Sequence, residues 1–312
     1  MKITVIGHLC LDVIQHADGS ETQSYGGIFF SVAALANLLA PADVVAPVFG
    51  IGGNDYEAFI ERLNAYPNVD TSGLYSFDGP TNQVRLVYSN AADRTECSRH
   101  ISEAIPFARI RQHLDADMVY VNMISGFDVT LETFDEIRMQ VRETNTPLYL
   151  DVHSLTLGVE DDFTRVHRPV DAWRRWLFMI HAAQMNEEEA AILTTEKLSE
   201  DSLARQALAL NTNALLITRG HKGCTAFIDE RKHLRRVDIP GEKVDGAPDP
   251  TGCGDVFAAA YCAHYSRSRD IASSAGFANR VAGRKAGFQG SGEIDRLSSF
   301  RLVESPAGQG IS

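Results

Sequence analysis

Short apolar segments alternate with helical patterns along this chain, and this alternation limits the possible folds more than any other feature of the sequence. Apolar, strand-like runs occupy residues 2–7, 43–49, 118–122, 147–152, 177–180 and 214–218. Helical patterns occupy residues 31–39, 54–63, 131–143 and 187–193. Strands that alternate with helices favour a parallel sheet covered on both faces. We therefore expect an α/β protein with three α/β/α layers and a mostly parallel central sheet.

Two segments do not follow this alternation. Residues 12–25 and 81–101 show the polar alternation that suits exposed antiparallel strands, as at Gln83 and Arg85. We expect them to form a small β lid on one domain that spans residues 1–302. Residues 303–312 are rich in Gly, Ser and Pro and are predicted to be a flexible tail.

The charge balance excludes some classes of partner. The chain has 312 residues, with 29 Lys and Arg against 41 Asp and Glu, which gives a net charge of −12. Proteins that bind a phosphate backbone need clustered positive charge, so nucleic acid is not an expected partner. The five cysteines contain no CxxC pair, which argues against a disulfide framework or a zinc ribbon. Because neither a signal peptide nor a membrane span is evident, we expect a cytoplasmic protein with no membrane partner.

The most informative motif runs from Asp249 to Asp255. Pro250 favours a turn, and Gly252 and Gly254 allow a ligand to approach the backbone closely. An Ala-rich helical run follows Asp255, so the glycines lie at a helix N-terminus, where free N–H groups bind anions. Asp255 is either a helix cap or a base that accepts a proton from a phosphoryl acceptor.

This motif resembles the hallmark D-T-x-G-A-G-D of the ribokinase/PfkB family of carbohydrate kinases. Asp249, Gly252, Gly254 and Asp255 are in register with it, and Cys253 replaces the usual Ala. The resemblance implies that Asp255 is the catalytic base. It also implies that the amides of Gly252, Cys253 and Gly254 form an anion hole.

Three weaker motifs follow the order that the family requires. Asn186 and Glu189 match its N-x-x-E motif, which implies that they hold Mg²⁺ and the phosphates through water. The alternative for this pair is an ordinary acidic first turn that complements the helix dipole.

Two nucleotide contacts are also implied by the resemblance. Thr218, Gly220 and Gly223 match the T-x-G-x-x-G turn that packs on the nucleotide after a strand. Asn279 lies where the family places an Asn near the adenine. Taken without the other motifs, the turn is only a strand exit and Asn279 a solvated helix residue.

The N-terminal resemblance concerns the acceptor. Asp12 matches the residue that contacts substrate hydroxyls, and Gly26 and Gly27 match the paired glycines that open a helix beside the sugar. Cys10 and Ser31 stand at substrate positions where a ribokinase proper has Asn, which argues against ribose. Local likeness to the plant inositol-kinase branch favours a polyol or an unusual sugar.

The resemblance implies an ATP-dependent kinase that phosphorylates a hydroxyl of a small sugar or polyol and uses Mg²⁺. It further implies a monovalent cation such as K⁺ near Asp249 and the loop at residues 286–290. The lid edges could pair with a second copy and give a homodimer. A nucleoside kinase of the same fold, or a catalytically silent nucleotide-binding sensor, remains an alternative.

Other nucleotide motifs are not supported. Gly50 and Gly52 begin a partial dinucleotide fingerprint, but Asp55 stands where its third glycine is needed. The sequence contains neither a Walker-type phosphate loop nor an HExxH zinc motif.

Overall fold

The computed structural model describes residues 1–15, 21–88, 94–242 and 249–302. The strands are β1 (Lys2–Ile6), β2 (Leu9–Gln15), β3 (Glu21–Gly27), β4 (Val44–Gly52), β5 (Leu74–Phe77), β6 (Asn82–Tyr88), β7 (Arg94–Arg99), β8 (Met118–Asn122), β9 (Leu148–Asp151), β10 (Leu157–Val159), β11 (Arg165–His167), β12 (Ala182–Asn186), β13 (Ala214–Thr218), β14 (Gly223–Glu230) and β15 (His233–Pro240). The α-helices are α1 (Ile28–Leu38), α2 (Tyr56–Leu63), α3 (Phe107–Ile110), α4 (Leu131–Glu143), α5 (Trp173–Trp176), α6 (Glu187–Ile192), α7 (Glu200–Ala209), α8 (Cys253–Ser268) and α9 (Ile271–Ala286).

The central sheet has nine strands in the order β15-β14-β13-β12-β9-β8-β1-β4-β5. The seven strands from β13 to β5 pair in parallel, whereas β14 and β15 extend one edge in antiparallel fashion. Helices flank this sheet, so the predicted three-layer α/β/α architecture is confirmed. The antiparallel edge explains why the sheet is mostly rather than wholly parallel.

Burial explains why the central strands are continuous apolar runs. Every residue of β8 and β9 is buried, as a strand covered on both faces requires. No helix of the described residues is long and apolar enough to span a membrane.

A second sheet has four strands in the order β3-β2-β6-β7 and comes from the two segments with polar alternation. The pairs β2–β3 and β6–β7 are antiparallel, as expected. In contrast, β2 and β6, which belong to different hairpins, pair in parallel. Residues 16–20 and 89–93 of the predicted lid, and the predicted tail, lie outside the described residues.

One predicted strand is wrong. Residues 177–180 follow the short helix α5 and form a turn in which Met179 has a φ of +56°. Their apolar character reflects burial of Leu177 and Ile180 in the core rather than strand pairing. The strand of this region, β12, begins only at Ala182.

The first helix begins earlier than its pattern predicts. Helix α1 begins at Ile28 because Gly27, with a φ of +57°, turns the chain directly out of β3. Asp55 is the N-cap residue of α2, but its carboxylate accepts a hydrogen bond from Thr81 Oγ1 rather than from a helix amide.

The chain order of the strands reverses between β1 and β8. From β1 the connections run outward to β4 and β5, and from β8 they run the other way to β9, β12 and β13. Ligands of open α/β sheets bind at the carboxyl ends of strands beside such a switch point. The fold therefore directs attention to the residues that follow β1 and end β8.

Candidate active site

The N-terminus of α8 lies at this switch point and carries Asp255. Gly252 is the N-cap residue of α8, with a φ of +75°. A Cβ at Gly252 would also overlap the ring of Phe30 on α1, so only glycine fits there. Asp255 follows in the first turn of α8 and is 5% exposed. Asp255 is not the N-cap residue of α8, and the backbone amide that lowers its pKa by hydrogen bonding is its own.

A buried network holds Asp255 from the end of β8. Asn122 Nδ2 donates to Asp255 Oδ1 at 2.7 Å and to Ser31 Oγ at 3.3 Å. Ser31 Oγ in turn lies 3.2 Å from Tyr120 Oη. Asn122 and Ser31 are fully buried, so this network fixes the carboxylate from the protein interior.

Burial raises the pKa of the Asp255 carboxyl above its usual range. Nearby His153, the hydrogen bond from Asn122 and the ammonium of Lys285 act in the opposite direction. A buried carboxylate with a raised pKa is a stronger base than a solvated one. The environment of Asp255 thus suits a residue that takes a proton from a hydroxyl.

The amides of the Gly252–Gly254 turn are not equivalent. The Cys253 amide donates to the Pro250 carbonyl at 3.1 Å and closes the turn. In the described part of the chain, no backbone carbonyl accepts from the amides of Gly252 or Gly254. Those two amides, at the positive end of α8, are therefore the ones in this turn that could bind an anion.

Paired glycines bring Asp12 against α1. A Cβ at Gly26 would overlap the Asp12 carboxylate, and a Cβ at Gly27 would lie 2.8 Å from Ile124 Cγ2. The two glycines therefore allow β3 to pass close to β2 and to the end of β8. Asp12 is 8% exposed and lies at the N-terminal end of α1, which also carries Ser31.

Two of the residues predicted to contact the acceptor, Ser31 and Cys10, are buried. Ser31 is fully buried and uses its hydroxyl within the Asn122–Tyr120 network, so its effect on an acceptor is indirect. Cys10 is 2% exposed. The adjacent Asn82 is the register partner of Cys10 and was not predicted.

Asn82 carries an unused donor. Its Oδ1 accepts from the backbone amide and the hydroxyl of Ser102. Its Nδ2 is buried and has no hydrogen-bond partner among the described residues. A buried amide group of this kind could donate to an acceptor hydroxyl.

A second set of acidic groups lines the carboxyl ends of the strands beyond β8. Asp151 ends β9 and accepts from Gln184 Nε2 at 3.2 Å, and the same amide donates to the Gly254 carbonyl at 3.1 Å. Burial raises the pKa of Asp151 well above its usual range, and Glu189 and Asp255 add to this rise. These three carboxylates share one electrostatic environment.

Asn186 and Glu189 form a closed capping box at the start of α6. Asn186 Oδ1 accepts from the Glu189 amide at 2.8 Å, and the Glu189 carboxylate accepts from the backbone and side-chain nitrogens of Asn186, both at 2.8 Å. Burial raises the pKa of Glu189 as well. The pair therefore has the helix-end role given above as the alternative. The capping box still leaves lone pairs on the Glu189 carboxylate for metal-bound water.

The predicted nucleotide turn lies beside this box. Thr218 is the register partner of Asn186 on the adjacent strand. Gly220, with a φ of +53°, faces open space, whereas Gly223 packs against the backbone of Ile239 and Gly241. Asn279 lies next to the Gly223 end of the turn, because its Nδ2 donates at 2.7 Å to the carbonyl of Pro240, the register partner of Gly223.

Sequence reasoning missed Asn122, Asp151 and Asn82. A signal was present for the first two, since each is a polar residue at the end of an apolar strand. Asn82 gave no such signal, because its environment depends on pairing between two distant segments.

This fold, with a buried aspartate at a helix N-terminus beside the switch point, is that of a ribokinase-like kinase. The model of the pfkB family carbohydrate kinases matches residues 1–294, and the chain belongs to that family.

Known relatives agree on the family and differ in their acceptors. A cytidine kinase from Thermococcus kodakarensis is 24% identical over 277 residues, which cover 87% of this chain and 91% of that protein. A ribokinase from Bacillus subtilis is 33% identical over 121 residues, 36% of this chain and 38% of that protein. The structure of a pyrophosphate-dependent kinase in the ribokinase family, complexed with a pyrophosphate analogue and myo-inositol, has a TM-score of 0.75 at 18% identity, covering 95% and 99% of the two chains.

Proposed function

We propose that this kinase transfers the γ-phosphoryl group of ATP to a hydroxyl of a small sugar or polyol. The observation that carries the proposal is the contact between Asn122 and Asp255. It connects the base to Ser31 on α1, the helix whose N-terminus also holds Asp12. Acceptor-binding and proton-accepting groups therefore lie on adjoining elements at the switch point.

Asp255 would accept the proton of the attacking hydroxyl. Its burial favours the protonated product of that transfer, and Asn122 keeps the carboxylate oriented before the transfer. The amides of Gly252 and Gly254 would oppose the negative charge of the moving phosphoryl group. Phosphoryl transfer depends chiefly on positioning and charge stabilisation, which these groups supply.

The acidic edge fits Mg²⁺ held through water. Within the described ranges, no three metal-ligating side chains lie close enough to bind an ion directly. Mg²⁺ keeps several waters and binds through few carboxylates, which suits Glu189 and Asp151. When bound, the ion would neutralise charge on the donor phosphates.

Asp12 would orient the acceptor by accepting hydrogen bonds from the acceptor's hydroxyl groups. The unused Nδ2 of Asn82, on the strand next to Asp12, offers a donor of the opposite type. A carboxylate acceptor beside an amide donor suits neighbouring hydroxyls of a sugar or a cyclic polyol.

A nucleoside acceptor is the second candidate, supported by a cavity as well as by the cytidine kinase relative. A cavity of about 540 Å³ is lined by Ser102, the partner of Asn82, and by apolar groups that include Phe127 and Trp176. Phe127 is 38% exposed, so its ring could pack against the nucleobase of a nucleoside.

A screen for ADP release distinguishes these functions. Purified protein is tested with ATP and Mg²⁺ against sugars, polyols and nucleosides, with Asp255→Asn as the inactive control. Where pyrophosphate replaces ATP as the donor, release of inorganic phosphate is measured instead. We expect turnover with a sugar or polyol that exceeds turnover with every nucleoside. Preference for a nucleoside, together with a raised KM in Phe127→Ala, would establish the second candidate. ATP binding without turnover on any acceptor would indicate a silent sensor.

A further inference from the structure

Lys285, near the end of α9, is fully buried, and no other lysine of the described ranges is buried. Moving an ammonium group out of water is costly unless the protein provides compensating contacts. The surroundings of Lys285 should therefore show what its charge is used for.

The compensating contacts are oxygen atoms and aromatic faces. Lys285 Nζ donates to the Phe288 carbonyl at 3.2 Å and lies 3.9 Å from Asp249 Oδ2. It also lies over the rings of Phe30 and Phe288, at 5.6 and 5.0 Å from their centroids. Cations over aromatic faces are stabilised by the ring quadrupole.

These oxygens belong to the region where the family resemblance implied a monovalent cation. Asp249 already accepts from the amides of Thr251 and Gly290, and its second oxygen faces the ammonium. A K⁺ ion at the same carboxylate would lie against this positive charge. The residues present therefore do not fit K⁺.

We propose that the Lys285 ammonium takes the place of the monovalent cation, so that the kinase works without K⁺. The ammonium lies close to the 249–253 turn: it is 3.9 Å from Asp249 Oδ2, and the Phe30 ring near it also occupies the space where a Cβ of residue 252 would lie. A fixed positive charge there adds to the amides that oppose phosphoryl charge. This inference rests on the proposed kinase function.

The direct test compares cations at constant ionic strength. With tetramethylammonium as the only monovalent cation, we expect the kcat of the wild-type protein to stay within about twofold of its value in KCl. Lys285→Met, which keeps the side-chain length without the charge, should lower kcat roughly tenfold or more. In Lys285→Ala, KCl or methylammonium should restore part of the loss. Arg284→Met removes an exposed charge from the same helix and is the matched control.

A second measurement does not depend on turnover. The melting temperature of wild-type protein should be the same in KCl and tetramethylammonium chloride, whereas Lys285→Ala should gain stability specifically in KCl. Specific stabilisation or strong activation of wild-type protein by K⁺ would overturn the proposal, as would unchanged kcat in Lys285→Met. If no acceptor is turned over, the kinase proposal fails, and the melting experiment still decides the cation question.

Discussion

The polar groups on the two sides of the candidate site obtain their hydrogen-bond partners in different ways. On the base side, Asp255 is held by Asn122 inside the core, with little contact with water. On the side where the phosphate donor would bind, called the donor side below, Asn186 is exposed and forms a closed capping box with Glu189. The base side thus depends on distant elements, whereas the donor side is stabilised locally.

Burial raises the pKa of both Asp255 and Glu189, so charge is costly on both sides, and the difference lies in what holds each carboxylate. Burial raises the pKa of Asp255, so the ionised form destabilises the folded protein near neutral pH. The capping box stabilises its own helix and leaves spare lone pairs for water. We expect changes on the base side to alter chemistry strongly, and changes on the donor side to alter metal affinity only.

The largest effect is expected for Asp255→Asn. Loss of the base should lower kcat by about 10²–10⁴, the usual contribution of a general base. Because the folded-state pKa is raised, this carboxyl binds its proton more tightly in the folded than in the unfolded chain. Its contribution to stability therefore falls as pH rises through both pKa values. The amide still accepts from Asn122 without a buried charge, so the melting temperature at neutral pH should not fall.

Steady-state kinetics and thermal unfolding together check this prediction. Turnover within a few-fold of wild type would show that Asp255 is not the base. A lower melting temperature would show that the ionised carboxylate stabilises the fold.

A smaller effect on the same side is expected for Asn122→Leu. Removing the hydrogen bond should raise the pKa of Asp255 further, since that bond lowers it. The acid limb of the kcat/KM profile should then move to higher pH, and kcat/KM at neutral pH should fall roughly tenfold, because a hydrogen bond to a charged group contributes about 1.5–3 kcal/mol.

The matched control is Asn68→Leu, which removes another buried amide that bonds a carbonyl away from the site. It should lower stability without moving the pH profile. An unmoved acid limb in Asn122→Leu would remove Asn122 from the catalytic network.

On the donor side, Glu189→Gln should raise the Mg²⁺ concentration for half-maximal rate by roughly several-fold, because an amide organises metal-bound water less well than a carboxylate. Gln can keep the capping box, so helix stability should be retained. The acceptor KM should not change. A magnesium titration checks this, with the exposed neighbour Glu188→Gln as control, and identical titrations would leave Glu189 with a helix-end role only.

The smallest change concerns the four-stranded sheet, which we propose closes over the acceptor as a lid. Closure would exclude water from the site, so that the exposed Asn186–Glu189 side would become more like the buried Asp255 side. Hydrogen exchange of β2, β3, β6 and β7 should slow more with acceptor and a non-hydrolysable ATP analogue together than with the analogue alone. Strands β8 and β9 are the internal control. Equal exchange in all states would mean that the sheet is a fixed element.

Much of the fold could be predicted from the sequence, because apolar runs such as residues 118–122 are long enough to indicate a buried strand on their own. The prediction was wrong at residues 177–180, since apolar composition alone does not separate a strand from a buried turn. Asp255 could be predicted as a site residue because the glycines that mark its motif are next to it in the sequence. The partners of that residue were not found, since no sequence spacing connects Asn122 or Lys285 to Asp255.

The alternating α/β layers, and the glycine needed where α8 begins at Gly252, can be recognised in the amino-acid sequence alone. These properties depend on local backbone preferences and on periodic burial, which a linear pattern records. The hydrogen bonds from Asn122 to Asp255 and to Ser31 depend on how the chain packs in three dimensions. The position of the Lys285 ammonium beside Asp249 depends on the same packing. Such contacts join strands and helices that are far apart in the chain, so their energies depend on the packed interior, where desolvation and hydrogen bonding are strongest.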